Sequence, residues 1–161
     1  MVHLHWLAID ILRPVAGAER TRQTVKRVAD IGTTPAGRVY ALRLNLQLSA
    51  LLGEWVTLND LIAEARTVAS QACATSLTWI ADWAQAVQCA ASSEADKAVA
   101  DATRAVEALE HHGEPYIAAR LLTDLLPFLD RDLRAPLAER AARRLDTMRA
   151  VTSAAQARGW A

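Results

Sequence analysis

Apolar residues recur along this 161-residue chain at helical spacing, and no stretch alternates with the two-residue period that marks a strand. Leu4, Leu7, Ile9, Ile11 and Leu12 suit a short buried helix from His3 to Leu12, which Pro14 and Gly17 end. A more polar helix follows from Ala18 to Ile31, with Val25, Val28 and Ala29 on one stripe and Gly32 closing it. Thr33-Thr34-Pro35 is a turn that offers an N-cap hydroxyl and then a proline suited to the first helical position. From Ala36 to Leu52 the pattern changes. Val39, Leu42, Leu46 and Ala50 form one apolar row and Leu44, Leu48 and Leu51 another, so this helix is buried from two sides.

Gly53-Glu54-Trp55 breaks the pattern, and Thr57 or Asn59 is placed to cap a helix over Leu58–Ala72, with Leu61, Ile62, Ala65, Val68 and Ala69 inward. A further helix is predicted over Leu77–Ala90, again apolar on more than one face, and Ser92-Ser93-Glu94 makes the next turn. Ala95–His112 is strongly helical, with Val99, Ala102, Val106 and Leu109 as its core stripe. Gly113 suits the left-handed conformation that ends a helix, and Pro115 suits the first turn of the next, which runs to about Phe128. Asp130-Arg131-Asp132 is a turn, Leu133–Arg149 turns Leu137, Ala141, Leu145 and Met148 inward, and the tail VTSAAQARGWA adds one or two helical turns. Pro127 reads as a helix end and Pro136 as a residue in or near a first turn.

The breaks are regularly spaced. Gly32 and Gly113 each end the second helix of a pair, the break near Cys73 lies almost midway between them, and that near Ala150 follows at a similar interval. A two-helix period of roughly 35–40 residues marks an α-solenoid, in which neighbouring pairs bury what one pair alone leaves open. The predicted fold is therefore all-α and a single domain, 1–161, with pairs at 3–32, 36–72, 76–112 and 115–149 and a capping tail at 150–161. A closed helical bundle would use the same helices and is the alternative.

Two segments carry a family resemblance. Leu51, Leu52, Gly53, Glu54 and Trp55 match a run of leucines and Gly-Glu-Trp before an outer helix. Gly113, Pro115, Tyr116, Ala118, Ala119 and Arg120 match an outer helix ending in Gly, then Pro-aromatic and Ala-Ala-Arg. The chain thus resembles the tetratricopeptide-like repeat region of bacterial LuxR-type, MalT-like ATP-dependent transcriptional regulators, over about two thirds of its length. The resemblance implies a TPR-like solenoid serving as a sensor or scaffold in bacterial transcriptional regulation or signalling. It does not extend to the family's ATPase part, since no G-x-x-x-x-G-K-[ST] phosphate loop occurs, nor to its DNA-binding helix-turn-helix.

Composition narrows the partners. Hydrophobic residues at 52% and charged residues at 22% predict a globular chain, and Lys+Arg 18 against Asp+Glu 18 lacks the basic excess of a nucleic-acid binder. No direct nucleic-acid contact is expected. The N-terminus lacks a basic segment before a long apolar core, and the longest uncharged run, Thr67–Ala81, is too short to span a bilayer, so no membrane partner and a cytoplasmic location are expected. Cys73 and Cys89 read as buried free thiols in Ala-rich helices.

Catalytic signals are weak. His3/His5 and His111/His112 lack the i, i+3 or i+4 spacing of helical metal ligands, and the histidines at 111 and 112 suit a helix C-terminus. Glu107/Glu110 and Asp130/Asp132 lie on an outer helix and in a turn, where solvation rather than acid–base work is expected. No catalytic residue, metal or cofactor is assigned, and an enzyme is not expected. Trp79 and Trp83 are i, i+4 neighbours that serve either as packing or as an aromatic lip on a concave groove. In the groove reading, Arg38, Arg43 and Asn45, then Asp82 and Gln85, then Arg120 and Asp124 supply polar contacts from successive inner helices. Arg140, Arg143, Arg144 and Arg149 make a further basic face, interspersed with Asp132, Glu139 and Asp146.

The leading expectation is a non-catalytic repeat scaffold or sensor that binds a protein, peptide or small effector. The alternative is a compact bundle that carries or senses a small apolar ligand. A short array leaves an apolar end open, which a second copy in a homodimer or a capping Trp160 would cover.

Overall fold

The computed structural model describes Arg22, Gln23, Arg27 and residues 34–161, with Leu51 described by its backbone alone. The predicted helix at His3–Leu12 and the stop at Gly32 lie outside the described residues; of the predicted helix at Ala18–Ile31 only Arg22, Gln23 and Arg27 are described, and they are helical. Within them the chain is all-α. Helix α1 is Pro35–Leu52, α2 is Trp55–Ala72, α3 is Thr75–Ala91 and α4 is Ala95–His111. They are followed by α5, Pro115–Leu125, a 3₁₀ turn at Leu126–Phe128, α6, Arg131–Thr147, and α7, Val151–Arg158. The described residues form no strand.

Each element follows from local chemistry. The Thr34 hydroxyl accepts from the Gly37 N–H at 3.1 Å and Pro35 opens α1, as the sequence predicts. Helix α2 starts earlier than expected, at Trp55 rather than Leu58, because Glu54 rather than Thr57 or Asn59 occupies the N-cap position. Glu54 makes no capping bond; its carboxylate instead accepts from Ser49 Oγ at 3.2 Å and from Arg22. Pro127 lies in the 3₁₀ turn that follows α5. Pro136 lies just past the first turn of α6, so Asp132 C=O loses its usual N–H donor on an exposed stretch of helix.

Five of the six connections between these helices share one geometry. A residue with positive φ ends the preceding helix at Gly53 (71°), Cys73 (50°), Ser93 (65°), Gly113 (78°) and Arg149 (58°). The following N–H, from Glu54, Ala74, Glu94, Glu114 or Ala150, closes back on the carbonyl of Ser49, Ala69, Cys89, Leu109 or Leu145 at 2.8–3.0 Å. The carbonyl of that same hinge residue then accepts from the next helix, for example from Leu58 and Ala98 at 2.9 Å. Glu54, Ala74, Glu94 and Glu114 fall twenty positions apart, and so do Asp130 and Ala150. The interval from Glu114 to Asp130 is shorter, where α5 ends early and the 3₁₀ turn with Pro127 follows.

The described chain forms two compact units, Met1–Ala84 and Gln85–Ala161, the boundary falling inside α3. In the first, α1 packs on α2; Leu42, Leu46, Leu58, Ile62 and Ala65 are buried. In the second, α5 packs on α4 and α6, and α7 on α6, over Val106, Leu109, Ile117, Leu121, Leu122 and Leu145. Connections of two or three residues oblige packed neighbours to run antiparallel. Cys89 is buried as expected. Cys73 is exposed, because its left-handed backbone carries it out of the helix into the turn.

Candidate functional site

Six of the predicted groove residues fall in the first unit. Helix α1 presents Arg38, Ala41, Leu42 and Asn45 along one face, and α2 presents Leu61, Glu64 and Val68 toward them. A cavity of about 600 Å³ lies between these faces, with Thr34 and Pro35 at one end and Gln71 and Ala72 beside them. Its floor is apolar, and its rim carries the Arg38–Glu64 ion pair, 2.7 Å between Nη2 and Oε1, together with the half-buried Asn45. The volume lies within the roughly 300–1,000 Å³ common for small-molecule sites. Both partners of the ion pair are exposed, so water competes for the pair and a ligand carboxylate or amine exchanges for it at little cost.

Arg43 does not line the cavity; it is half-buried near Tyr40. Burial raises the Tyr40 phenol above its usual pKa of 10.0, and the Arg43 charge pulls it partly back. Asp82 on α3 pairs with Arg66 on α2 at 3.2 Å. Trp79 is half-buried, but Trp83 is fully buried and is the largest such side chain among the described residues. Of the two readings of this aromatic pair, Trp83 takes the packing one: its ring is too large an apolar surface to leave at a lip when the core has room for it.

The other three predicted residues belong to the second unit. Gln85 donates to Gln88 Oε1 at 3.2 Å and to Cys89 Sγ at 3.8 Å. Arg120 is 5% exposed rather than open to a groove. Its Nη2 lies 3.7 Å from Asp124 Oδ1 one turn on, and its Nη1 donates to Gln156 Oε1 of α7 at 3.3 Å. A guanidinium buried this deeply needs a counter-charge, and Asp124, with only 12% of its side chain exposed, supplies it. Arg120 and Asp124 thus form a buried structural pair beneath α7, and the expected open surface is not available at Arg120. Near the end of the chain the Arg134 guanidinium lies 5.5 Å from the centre of the Trp160 ring.

The chain matches no family model, no curated protein and no solved structure. The geometry alone therefore ranks its surfaces. Among the described residues, no group of three or more His, Cys, Asp or Glu is placed to hold a metal ion, and no helix is long and apolar enough to cross a membrane. His111 and His112 end α4 with their rings edge to face, 5.6 Å apart and exposed.

Of the predicted set, the α1/α2 cavity brings together Arg38 and Asn45. It also recruits Glu64, Leu61 and Val68, which sequence reasoning assigned to the inward stripe of α2 or passed over. The only sequence signal for them is their shared helical face; which residue of α1 they oppose depends on the register of the helix pair.

Proposed function

We propose that this protein is a non-catalytic helical-repeat binding module whose α1/α2 cavity takes a peptide, a segment of a partner protein or a small effector. The observation that carries the reading is the cavity of about 600 Å³ with an apolar floor and an exchangeable Arg38–Glu64 pair at its rim. A rim of that kind recognises a zwitterionic or carboxylate-bearing group, while Leu42, Leu61 and Val68 receive an apolar side chain. The twenty-residue hinge cadence supports a stacked TPR-like repeat, and the resemblance of Leu51–Trp55 and Gly113–Arg120 to the MalT-like repeat regions supports a role in bacterial transcriptional regulation or signalling. A cytoplasmic location and the absence of nucleic-acid contact belong to the same reading.

The test is calorimetric melting of the full chain against a panel of amino acids and short peptides, with Arg38→Ala and Leu61→Trp for comparison. A ligand at a hundred times its Kd should raise Tm by about 5–10 °C. Leu61→Trp, which fills the cavity, should abolish that rise, and Arg38→Ala should reduce it for charged ligands only. Undiminished binding in Leu61→Trp would reject the cavity. An uncharged apolar ligand that binds equally well to Arg38→Ala would favour the carrier of small apolar ligands instead.

A further inference from the structure

The second unit carries a surface that the cavity reading does not use. Helix α6 places Arg140, Arg143 and Arg144 at i, i+3 and i+4, around a pit of about 330 Å³ that Thr147 completes. Like charges at this spacing repel. The neighbouring carboxylates do not cancel the repulsion. Asp146 is engaged by Arg158 of α7, and Glu110 of α4 takes Arg144 alone. Glu139 approaches Arg143 only to 3.9 Å, with both side chains largely solvated. Arg140 makes no ion pair among the described residues. Three guanidiniums therefore share a concavity with one close carboxylate between them.

We infer that this pit is a binding site for a multivalent phosphate anion, such as the polyphosphate portion of a small solute. Guanidinium forks match phosphate oxygens in pairs, and each holds its charge at every physiological pH. A single carboxylate would neutralise one arginine and leave the repulsion between the others; a di- or triphosphate bridges all three. Two features oppose the anion, and neither is sufficient to exclude it. The end of α6, with roughly half a negative charge, and the Glu110 carboxylate on Arg144 together offset about half of the three positive charges. The Thr147 hydroxyl donates to Arg144 C=O at 2.7 Å and so offers the ligand no proton, leaving the guanidiniums as the donors.

Titration calorimetry of sodium tripolyphosphate into the full chain, at ionic strength held constant with sodium chloride, tests the site. Saturable binding of one tripolyphosphate is expected, with Arg140→Gln weakening it about tenfold, the loss of one charge-assisted contact. Arg143→Gln should behave alike, since both side chains reach solvent. Arg104→Gln, an exposed arginine on α4 away from the pit, should leave the affinity unchanged. Three results would overturn the proposal: no binding, an equal loss in Arg104→Gln, or citrate binding as tightly as tripolyphosphate, which would mark the site as selective for charge and not for phosphate. Binding of a short single-stranded RNA more tightly than of tripolyphosphate would replace the solute with nucleic acid and overturn the assignment equally.

Discussion

Two arginine–carboxylate pairs, one in each unit, use the same chemical groups and differ in consequence. Arg38–Glu64 is short at 2.7 Å, and its side chains are 60% and 43% exposed; Arg120–Asp124 is longer at 3.7 Å and almost wholly enclosed. Distance alone would rank the first as stronger. Burial reverses the order, because water screens the exposed pair and competes for each of its partners, while the enclosed charges meet each other, and Gln156, away from water. One pair is thus available for exchange with a ligand and the other holds helices in place. A contact made by the same residue types serves recognition or stability according to the solvent around it.

The largest effect that would break this contrast is at Asp124. Asp124→Ala leaves the Arg120 guanidinium buried without its carboxylate and should cost about 3–5 kcal/mol in urea unfolding. Replacing both partners with Met and Leu should recover most of that loss, since a filled apolar site removes the desolvation cost of both charges. A single-variant loss below about 1 kcal/mol would place Arg120 in contact with water and dissolve the distinction.

A smaller effect is expected in α1. Arg38→Ala should change stability by less than about 1 kcal/mol, and that change should vanish in molar salt, where the screening length falls to about 3 Å. The buried pair should be nearly insensitive to the same salt.

The smallest effect sharpens the comparison from the side of pH. Tyr40 titrates above 10.0 in the folded chain, so the unfolded chain gives up its phenolic proton first. Its contribution is intact below pH 10.0 and is lost as pH rises through the folded value, so alkali should destabilise the protein and Tyr40→Phe should reduce that loss. An unchanged alkaline limb in Tyr40→Phe would assign the effect elsewhere.

Much of the architecture was legible because helix ends are written locally. Thr34-Pro35, Gly53, Gly113 and Pro115 each state a backbone requirement that no distant contact overrides, and the helices begin or end at them. Cys73 and Ser93 adopt the same left-handed turn without glycine, so the break between helices could be read from the pattern but the exposure of the Cys73 thiol could not. The site was legible only in part. Polarity put Arg38, Asn45 and Arg120 in one class, and polarity does not tell a rim from a buried ion pair. That depends on what covers the residue: Gln156 lies 36 positions from Arg120, and Glu64 lies 26 from Arg38. Trp83 poses the same problem, since the i, i+4 spacing that pairs it with Trp79 gives no hint that one ring is enclosed and the other half open.

The hinges at Glu54, Ala74, Glu94 and Glu114 have a consequence for how such a chain tolerates change in length. Each hinge residue gives its N–H to the helix behind it and its carbonyl to the helix ahead, with no spare residue between. A single insertion within a helix would rotate every later side chain by about 100°, and there is no slack loop in which to absorb it. Insertion of a whole twenty-residue cassette, from one hinge to the next, leaves every junction chemically unchanged. Growth and loss by complete helices is therefore the length variation that this backbone admits most readily.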